Sequence, residues 1–114
     1  MSLKSKKHKD FIIVENTSSK WSLFIFQCDE IENYLEKLVD EGNNKIVLSL
    51  KGCDFIDSKG ISILIHTSLR LHKTNGNLYL IDIPEHIKET LWHARSSGLS
   101  QWQELDSEED LDLL

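Results

Sequence analysis

The sequence predicts a single α/β domain, in which a mixed sheet of roughly four to five strands is covered by about four helices. Short runs of β-branched and aromatic residues alternate with longer segments that have the period of an amphipathic helix. The 114 residues, of which 39% are hydrophobic, suffice for one compact core. Neither internal repeats nor a linker-like composition divides the chain.

Two strands and a helix are predicted before the centre of the chain. Residues 11–14 and 21–26 are apolar runs separated by the polar residues 15–20, which predicts an antiparallel hairpin. The next segment has one apolar helical face, formed by Ile31, Tyr34, Leu35, Leu38 and Val39. Asp29 followed by Glu32 predicts a capping box at the start of this helix.

The second half alternates strands and helices. Residues 46–50 are almost entirely apolar, which is typical of a central strand covered on both faces. A second helix is predicted from residues 57–60 to about residue 74, where Asn75 and Gly76 favour a turn.

Residues 78–81 form the next predicted strand, and Pro84 opens a third helix that Gly98 ends. Residues 102–105 are a short edge strand in this prediction. Ser107 with Asp110 is expected to cap a last acidic helix through Leu114.

The net charge of −6 argues against a general nucleic-acid binder, which needs a basic face. Lysines crowd the start of the chain, and acidic residues crowd its end: Glu104, Asp106, Glu108, Glu109, Asp110 and Asp112. We expect residues 1–9 to be a frayed basic tail, of which residues 1–3 are typical of a cloning remnant, and residues 10–114 to be the domain. The acidic end is expected to be a solvated helix.

No apolar run approaches the roughly 18 residues that a membrane helix needs, and no signal-peptide pattern precedes the first strand. The sequence therefore predicts a cytoplasmic protein without direct membrane insertion. Cys28 and Cys53 form no CxxC pair, so reduced structural thiols are expected, and neither a metal nor a cofactor is implied.

Residues 45–65, KIVLSLKGCDFIDSKGISILI, resemble the central signature of the STAS family (sulfate transporter and anti-sigma factor antagonist). In that signature a hydrophobic strand leads through an F-I/M-D-S-S/T-G turn into the second helix. The segment GNLYLIDIPEHIKETLWHARSSGL also resembles the next strand and helix of the family. The match covers residues 45–105 well, and residues 11–44 agree in the order and size of elements.

The resemblance implies a regulatory function. In bacterial anti-sigma factor antagonists the serine after the aspartate is phosphorylated by a partner anti-sigma factor with serine kinase activity, and here that serine is Ser58. The implied cycle is partner switching: the unphosphorylated antagonist captures the anti-sigma factor, phosphorylation ends the capture, and a phosphatase acting on Ser58 resets it. The chain departs from the family at Lys59, where Ser or Thr is usual, and at Ser62, where glycine is common.

The chemistry of a helix start is compatible with this role. Unpaired backbone N–H groups and the helix dipole tolerate a phosphate. A phosphate adds about 1.5 to 2 negative charges, which would disrupt an interface that excludes water. The simpler alternative is that Asp57 or Ser58 only caps the helix.

A helical wheel of the second helix places one set of residues on its core face: Ile61, Leu64, Ile65, Ser68 and Leu71. An outward stripe is then predicted, comprising Lys59, Ile63, His66 and Arg70. Together with the switch, the predicted partner-binding residues are Asp57, Ser58, Lys59, Ser62, Ile63, His66 and Arg70.

Two other functions compete with this interpretation. An enzyme is not expected, because no G-x-S-x-G elbow, phosphate-binding loop or HExxH pair is present and no base is placed beside a nucleophile. The histidine pairs 66/72 and 86/93 lack a further metal ligand. The main alternative is a STAS subunit of a lipid-transport ABC complex or of a stress-signalling assembly, which fold alone does not separate from an anti-sigma factor antagonist.

Overall fold

The computed structural model describes residues 2–25, 28–96, 98 and 102–114. The strands are β1 (Leu3–His8), β2 (Phe11–Asn16), β3 (Trp21–Leu23), β4 (Lys45–Ser49), β5 (Cys53–Ile56), β6 (Asn77–Ile81) and β7 (Gln103–Glu104). The α-helices are α1 (Asp29–Asp40), α2 (Ser58–His72) and α3 (Glu85–Ser96), and a 3-10 helix spans Glu108–Leu113.

Five of the described strands form one mixed sheet in the order β1-β2-β4-β6-β7. Strands β1 and β2 are antiparallel, whereas the other neighbours are parallel. Strand β4 lies at the centre, and Ile46, Val47 and Leu48 have no exposed surface. The α/β prediction, the central strand at residues 46–50 and the edge strand near residues 102–105 are therefore confirmed.

The alternation of side chains along the strands gives the sheet two apolar faces. Ile46 and Leu48 of β4 belong to the larger core, which also contains the buried faces of α1, α2 and α3. Val47 points to the other face, where Phe11, Ile13, Tyr79 and Ile81 pack with Leu111 of the 3-10 helix. The three α-helices thus cover one face, and the C-terminal segment covers the other.

The predicted hairpin between residues 11–14 and 21–26 is wrong. The antiparallel partner of β2 is β1, so the residues expected to be a frayed tail are ordered as a strand. Strand β3 instead pairs parallel with β5 in a separate two-stranded sheet, and residues 26–27 lie outside the described part of the chain. Ladder hydrogen bonds come from the backbone, so an edge strand can consist largely of exposed lysines. A tight turn at Lys9, where φ is +57°, reverses the chain.

The capping box predicted from Asp29 and Glu32 is also absent. Cys28 occupies the N-cap position of α1 without a side-chain hydrogen bond, and Asp29 is already the first helical residue. Asp29, Glu30 and Glu32 are all in the first turn, where their charges interact favourably with the positive end of the helix.

The C-terminal segment begins as predicted but is not a purely solvated helix. The carboxylate of Asp110 accepts hydrogen bonds from the backbone N–H groups of Asp106 (3.1 Å) and Ser107 (3.4 Å), as expected for a cap. Leu111, however, is only 1% exposed, because it packs on the sheet.

The longest described helix, α2, has 15 residues. No helix in the described part of the chain combines the length and the apolar character that crossing a membrane requires.

Candidate partner-binding and modification site

Asp57 connects strand β5 to helix α2 and fixes where the helix begins. Its Oδ1 atom accepts a hydrogen bond from the Gly60 N–H at 2.9 Å, and its Oδ2 atom accepts one from the Ile25 N–H at 3.1 Å. Its own N–H donates to the Leu23 carbonyl at 3.2 Å. Asp57 thereby ties the start of α2 to β3 and to the residues that follow it. These hydrogen bonds to the carboxylate, that from Gly60 most strongly, lower the pKa of Asp57.

The cap of α2 is therefore Asp57, and Ser58 is the first helical residue. Of the two capping residues that the sequence left open, the structure selects Asp57. The Ser58 side chain is exposed at the start of the helix. A modification of its hydroxyl would leave the cap in place.

Gly60 lets the helix start close to β3. It is buried, and a Cβ atom at this position would lie 2.3 Å from the Leu23 carbonyl oxygen and 3.0 Å from Cγ2 of Ile56. Real Cβ atoms essentially never approach other atoms as closely as the first of these distances. Gly60 thus allows the start of α2 to pack closely on β3.

The outward face of α2 differs from the predicted stripe. The exposed residues of α2 are Ser58, Ser62, His66, Leu69 and His72. The Ser62 hydroxyl donates to the Lys59 carbonyl at 2.7 Å within the helix. Ser58 and Ser62 are one turn apart, so both present hydroxyl groups on the same surface.

The placement of Ile63 on the outward face is wrong, because Ile63 is only 2% exposed and belongs to the core. Lys59 and Arg70 also turn toward α1: Lys59 Nζ lies 3.6 Å from Glu32 Oε2, and Arg70 Nη2 lies 2.6 Å from Asp40 Oδ1. Of the four predicted stripe residues, His66 is the one that is exposed.

The buried face of α2 is therefore rotated relative to the predicted core face. Besides Leu64, Ser68 and Leu71, helix α2 buries Gly60, Ile63 and Thr67, and the small Gly60 and polar Thr67 give no apolar signal for this side of the helix. Ile61 and Ile65, which the wheel placed on the core face, are partly exposed at its edge.

Two large apolar side chains that the sequence analysis did not select flank the start of α2. Phe55 is 50% exposed, and Ile25, whose backbone is bonded to Asp57, is 57% exposed. The rings of Phe24 and Phe55 meet edge to face with centroids 6.2 Å apart. Phe55 lies between Asp54 and the buried Ile56 in the short strand β5, and a large aromatic residue beside a buried one is not distinguished from a core residue by its sequence.

The two cysteines are unpaired and buried. Burial raises the pKa of the Cys53 thiol to about 11, and burial is also the main reason that the pKa of Cys28 is raised. Within the described residues, no group of three or more His, Cys, Asp or Glu side chains is placed to hold a metal ion.

Comparisons with known proteins agree with this arrangement of elements. An anti-sigma-B factor antagonist of Staphylococcus epidermidis is 24% identical over 87 residues, which cover 76% of this chain and 78% of that protein. BtrV of Bordetella bronchiseptica, a candidate anti-sigma factor antagonist by name, is 30% identical over 62 residues. That match covers 54% of this chain and only 53% of BtrV, about half of its length.

A solved structure of the Bacillus cell fate determinant SpoIIAA in its phosphorylated form shares the fold. The TM-score is 0.70 at 16% identity, and 98% of each chain is covered. The family model described as the STAS domain matches residues 3–110, from β1 into the C-terminal 3-10 helix. The chain therefore belongs to the STAS domain family.

Proposed function

We propose that this chain is an anti-sigma factor antagonist whose capture of an anti-sigma factor is ended by phosphorylation of Ser58. The single observation that carries the proposal is the position of Ser58, exposed on the first turn of α2 beside the exposed side chains of Phe55 and Ile25. The names of the Staphylococcus and Bordetella relatives support the same kind of partner.

The proposed contact surface, here called the Ser58 surface, consists of Ile25, Phe55, Ser58, Ser62, His66 and Leu69. Ile25, Phe55 and Leu69 are each more than a third exposed, at 57%, 50% and 39%. Aromatic and aliphatic side chains of this kind often supply the central contacts of a protein interface. Asp57 acts in this surface by positioning Ile25 and the start of α2.

Phosphorylation would act on this surface rather than on the fold. The cap hydrogen bonds belong to Asp57, so a phosphate on Ser58 replaces no contact that holds α2 in place. The phosphate adds about 1.5 to 2 negative charges beside side chains that a partner would bury, and desolvating that charge opposes binding. Binding is thus lost while the domain stays folded.

Lys59 modifies this switch without cancelling it. Its ammonium lies 3.6 Å from Glu32 Oε2 and its side chain is 39% exposed, so it can approach a phosphate on the neighbouring residue. Exposed ion pairs contribute only about 0 to 1 kcal/mol. We therefore assign Lys59 a role in kinase preference, while the charge on Ser58 still decides whether the partner binds.

The remaining steps of the proposed cycle are those that the resemblance to STAS-family antagonists implies. The anti-sigma factor is the serine kinase, and a phosphatase that removes the phosphate from Ser58 restores binding. The cycle operates in the cytoplasm, where the anti-sigma factor has access to its sigma factor.

Affinity purification of the tagged chain from its native host, with and without ATP, tests this proposal. We expect an ATP-binding protein with serine kinase activity to co-purify, and the purified pair to re-form in a binding titration. Recovery of a transporter ATPase that rebinds in the same titration would contradict the proposal and favour the lipid-transport alternative.

A further inference from the structure

The C-terminal 3-10 helix lies across the sheet face that α1, α2 and α3 leave uncovered. Leu111 is buried there, in a cluster with Phe11, Val47 and Tyr79. This face is separate from the Ser58 surface, since none of the residues of that surface belongs to the cluster. The contacts that hold the 3-10 helix on the sheet are therefore independent of the proposed function.

His8, at the end of β1, is held between two carboxylates of this helix. Its Nδ1 atom lies 3.0 Å from Glu108 Oε2, and its Nε2 atom lies 2.8 Å from Asp112 Oδ1. A neutral imidazole has one N–H and one lone pair, whereas the imidazolium has two N–H donors. Both contacts can be hydrogen bonds only when His8 is protonated, because a lone pair facing a carboxylate is repelled.

The charged groups around His8 are themselves paired. Lys6 Nζ lies 2.9 Å from Glu108 and 3.3 Å from Glu15, and Lys9 Nζ lies 3.0 Å from Asp112. Asp10, on the turn beside His8, is paired with Lys45 at 2.8 Å.

The protonation states of these groups change in different pH ranges. The hydrogen bonds lower the pKa values of Glu108 and Asp112 and raise that of Lys6, so these groups keep their charges around neutral pH. The pKa of His8 is raised, chiefly by its hydrogen bond to Asp112. Its contribution to stability is thus complete below the ordinary value of 6.5 and is lost as the pH rises through the raised value.

We propose that the 3-10 helix is a pH-sensitive strap: protonated His8 fastens it over the second face of the sheet, and loss of that proton loosens it and exposes Leu111. The ion pairs of Lys6 with Glu108 and of Lys9 with Asp112 do not involve His8, so they still hold the 3-10 helix to the sheet after His8 loses its proton. Loosening therefore means more frequent local opening of residues 108–113, without unfolding of the α-helical side of the domain.

Hydrogen exchange measured by mass spectrometry tests the strap directly. Protection of the 105–114 peptide, corrected for intrinsic exchange rates, is compared at about pH 5.5 and about pH 8.5, on either side of the ordinary pKa of histidine. We expect a several-fold fall in protection at the higher pH, with little change in the α1 peptide 29–40. In His8→Gln this dependence should disappear, whereas the control His93→Gln, on α3, should retain it.

A second measurement keeps the test decisive if His8→Gln is poorly folded. An NMR titration of the His8 ring should give a pKa above its ordinary value, and Glu108→Gln with Asp112→Asn should return it toward that value. Equal protection of the 105–114 peptide at both pH values in the wild type would overturn the proposal. A pH dependence that persists in His8→Gln, or a His8 pKa unaffected by the double substitution, would do the same.

Discussion

The backbone of Gly60 approaches Leu23 so closely that a Cβ atom at position 60 would lie 2.3 Å from the Leu23 carbonyl oxygen. Gly60→Ala should therefore push α2 away from β3 and lower the free energy of unfolding by about 1 to 3 kcal/mol, the usual effect of overpacking. The higher helix propensity of alanine, about 1 kcal/mol, offsets only part of this. Chemical denaturation monitored by circular dichroism measures this change in the free energy of unfolding. Ser62→Ala, on the exposed side of the same helix, is the control, and an unchanged midpoint for Gly60→Ala would refute the close contact.

Asp57 and Ser58 should differ in their effect on stability. Asp57→Ala removes the acceptor for the Gly60 and Ile25 N–H groups and should destabilise the domain more than Ser58→Ala does. The lowered pKa of Asp57 adds a pH dependence. Its stabilising contribution is present above the unfolded-state pKa and is lost as the pH falls through the lowered folded-state value.

Unfolding free energies of the wild type, Asp57→Ala, Asp57→Asn and Ser58→Ala at a series of pH values measure this difference. Asp57→Asn, which cannot ionise, should lose less stability than the wild type as the pH falls toward about 3. Equal destabilisation by Asp57→Ala and Ser58→Ala would mean that Asp57 is not the cap.

Ile63 should behave as a core residue. Because it is only 2% exposed, Ile63→Ala removes buried methyl groups and should cost about 2 to 5 kcal/mol of unfolding free energy. Thermal unfolding measures the loss. The control is His66→Ala at an exposed position on the same helix, which should change stability by less than about 0.5 kcal/mol. If Ile63→Ala melted at the same temperature as the wild type, Ile63 would not be a core residue and would instead face outward, as the helical wheel predicted.

Phe55 should matter for partner capture. Truncating an exposed aromatic side chain that a partner buries weakens binding by about tenfold or more when that residue is a central contact. Titration of Phe55→Ala with the purified anti-sigma factor, set against thermal melting of the free variant, separates binding from stability. Leu113→Ala, at an exposed apolar residue on the opposite side of the sheet, should bind like the wild type. Wild-type affinity for Phe55→Ala would remove Phe55 from the proposed surface.

Much of the α/β core could be predicted from hydrophobic periodicity. The run at residues 46–50 identified the central strand, because a strand covered on both faces is apolar throughout. The turn before α2 was located by its aspartate, serine and glycine. The antiparallel partner of β2 could not be predicted in this way, because β1 is an exposed edge strand with three lysines and lacks an alternating apolar pattern.

The candidate site was predicted less completely than the fold. Ser58 was recognised from the motif, and the structure places it on the outer side of α2. The exposure of Phe55 and the burial of Ile63 depend on how α2 is rotated against α1 and β3. That rotation is determined by close contacts such as Gly60 with Leu23, which hydrophobic patterning does not report.

The most direct test of the proposed function is a phosphosite analysis combined with binding titrations. The purified chain is incubated with the anti-sigma factor and ATP, and mass spectrometry locates the phosphate in the wild type, Ser58→Ala and Ser62→Ala. Affinity for the anti-sigma factor is then measured for these proteins and for Ser58→Asp. We expect a single phosphate on Ser58, none on Ser58→Ala, tight binding by both alanine variants and weak binding by Ser58→Asp with an unchanged fold. A phosphate on Ser62, or wild-type affinity in Ser58→Asp, would contradict it.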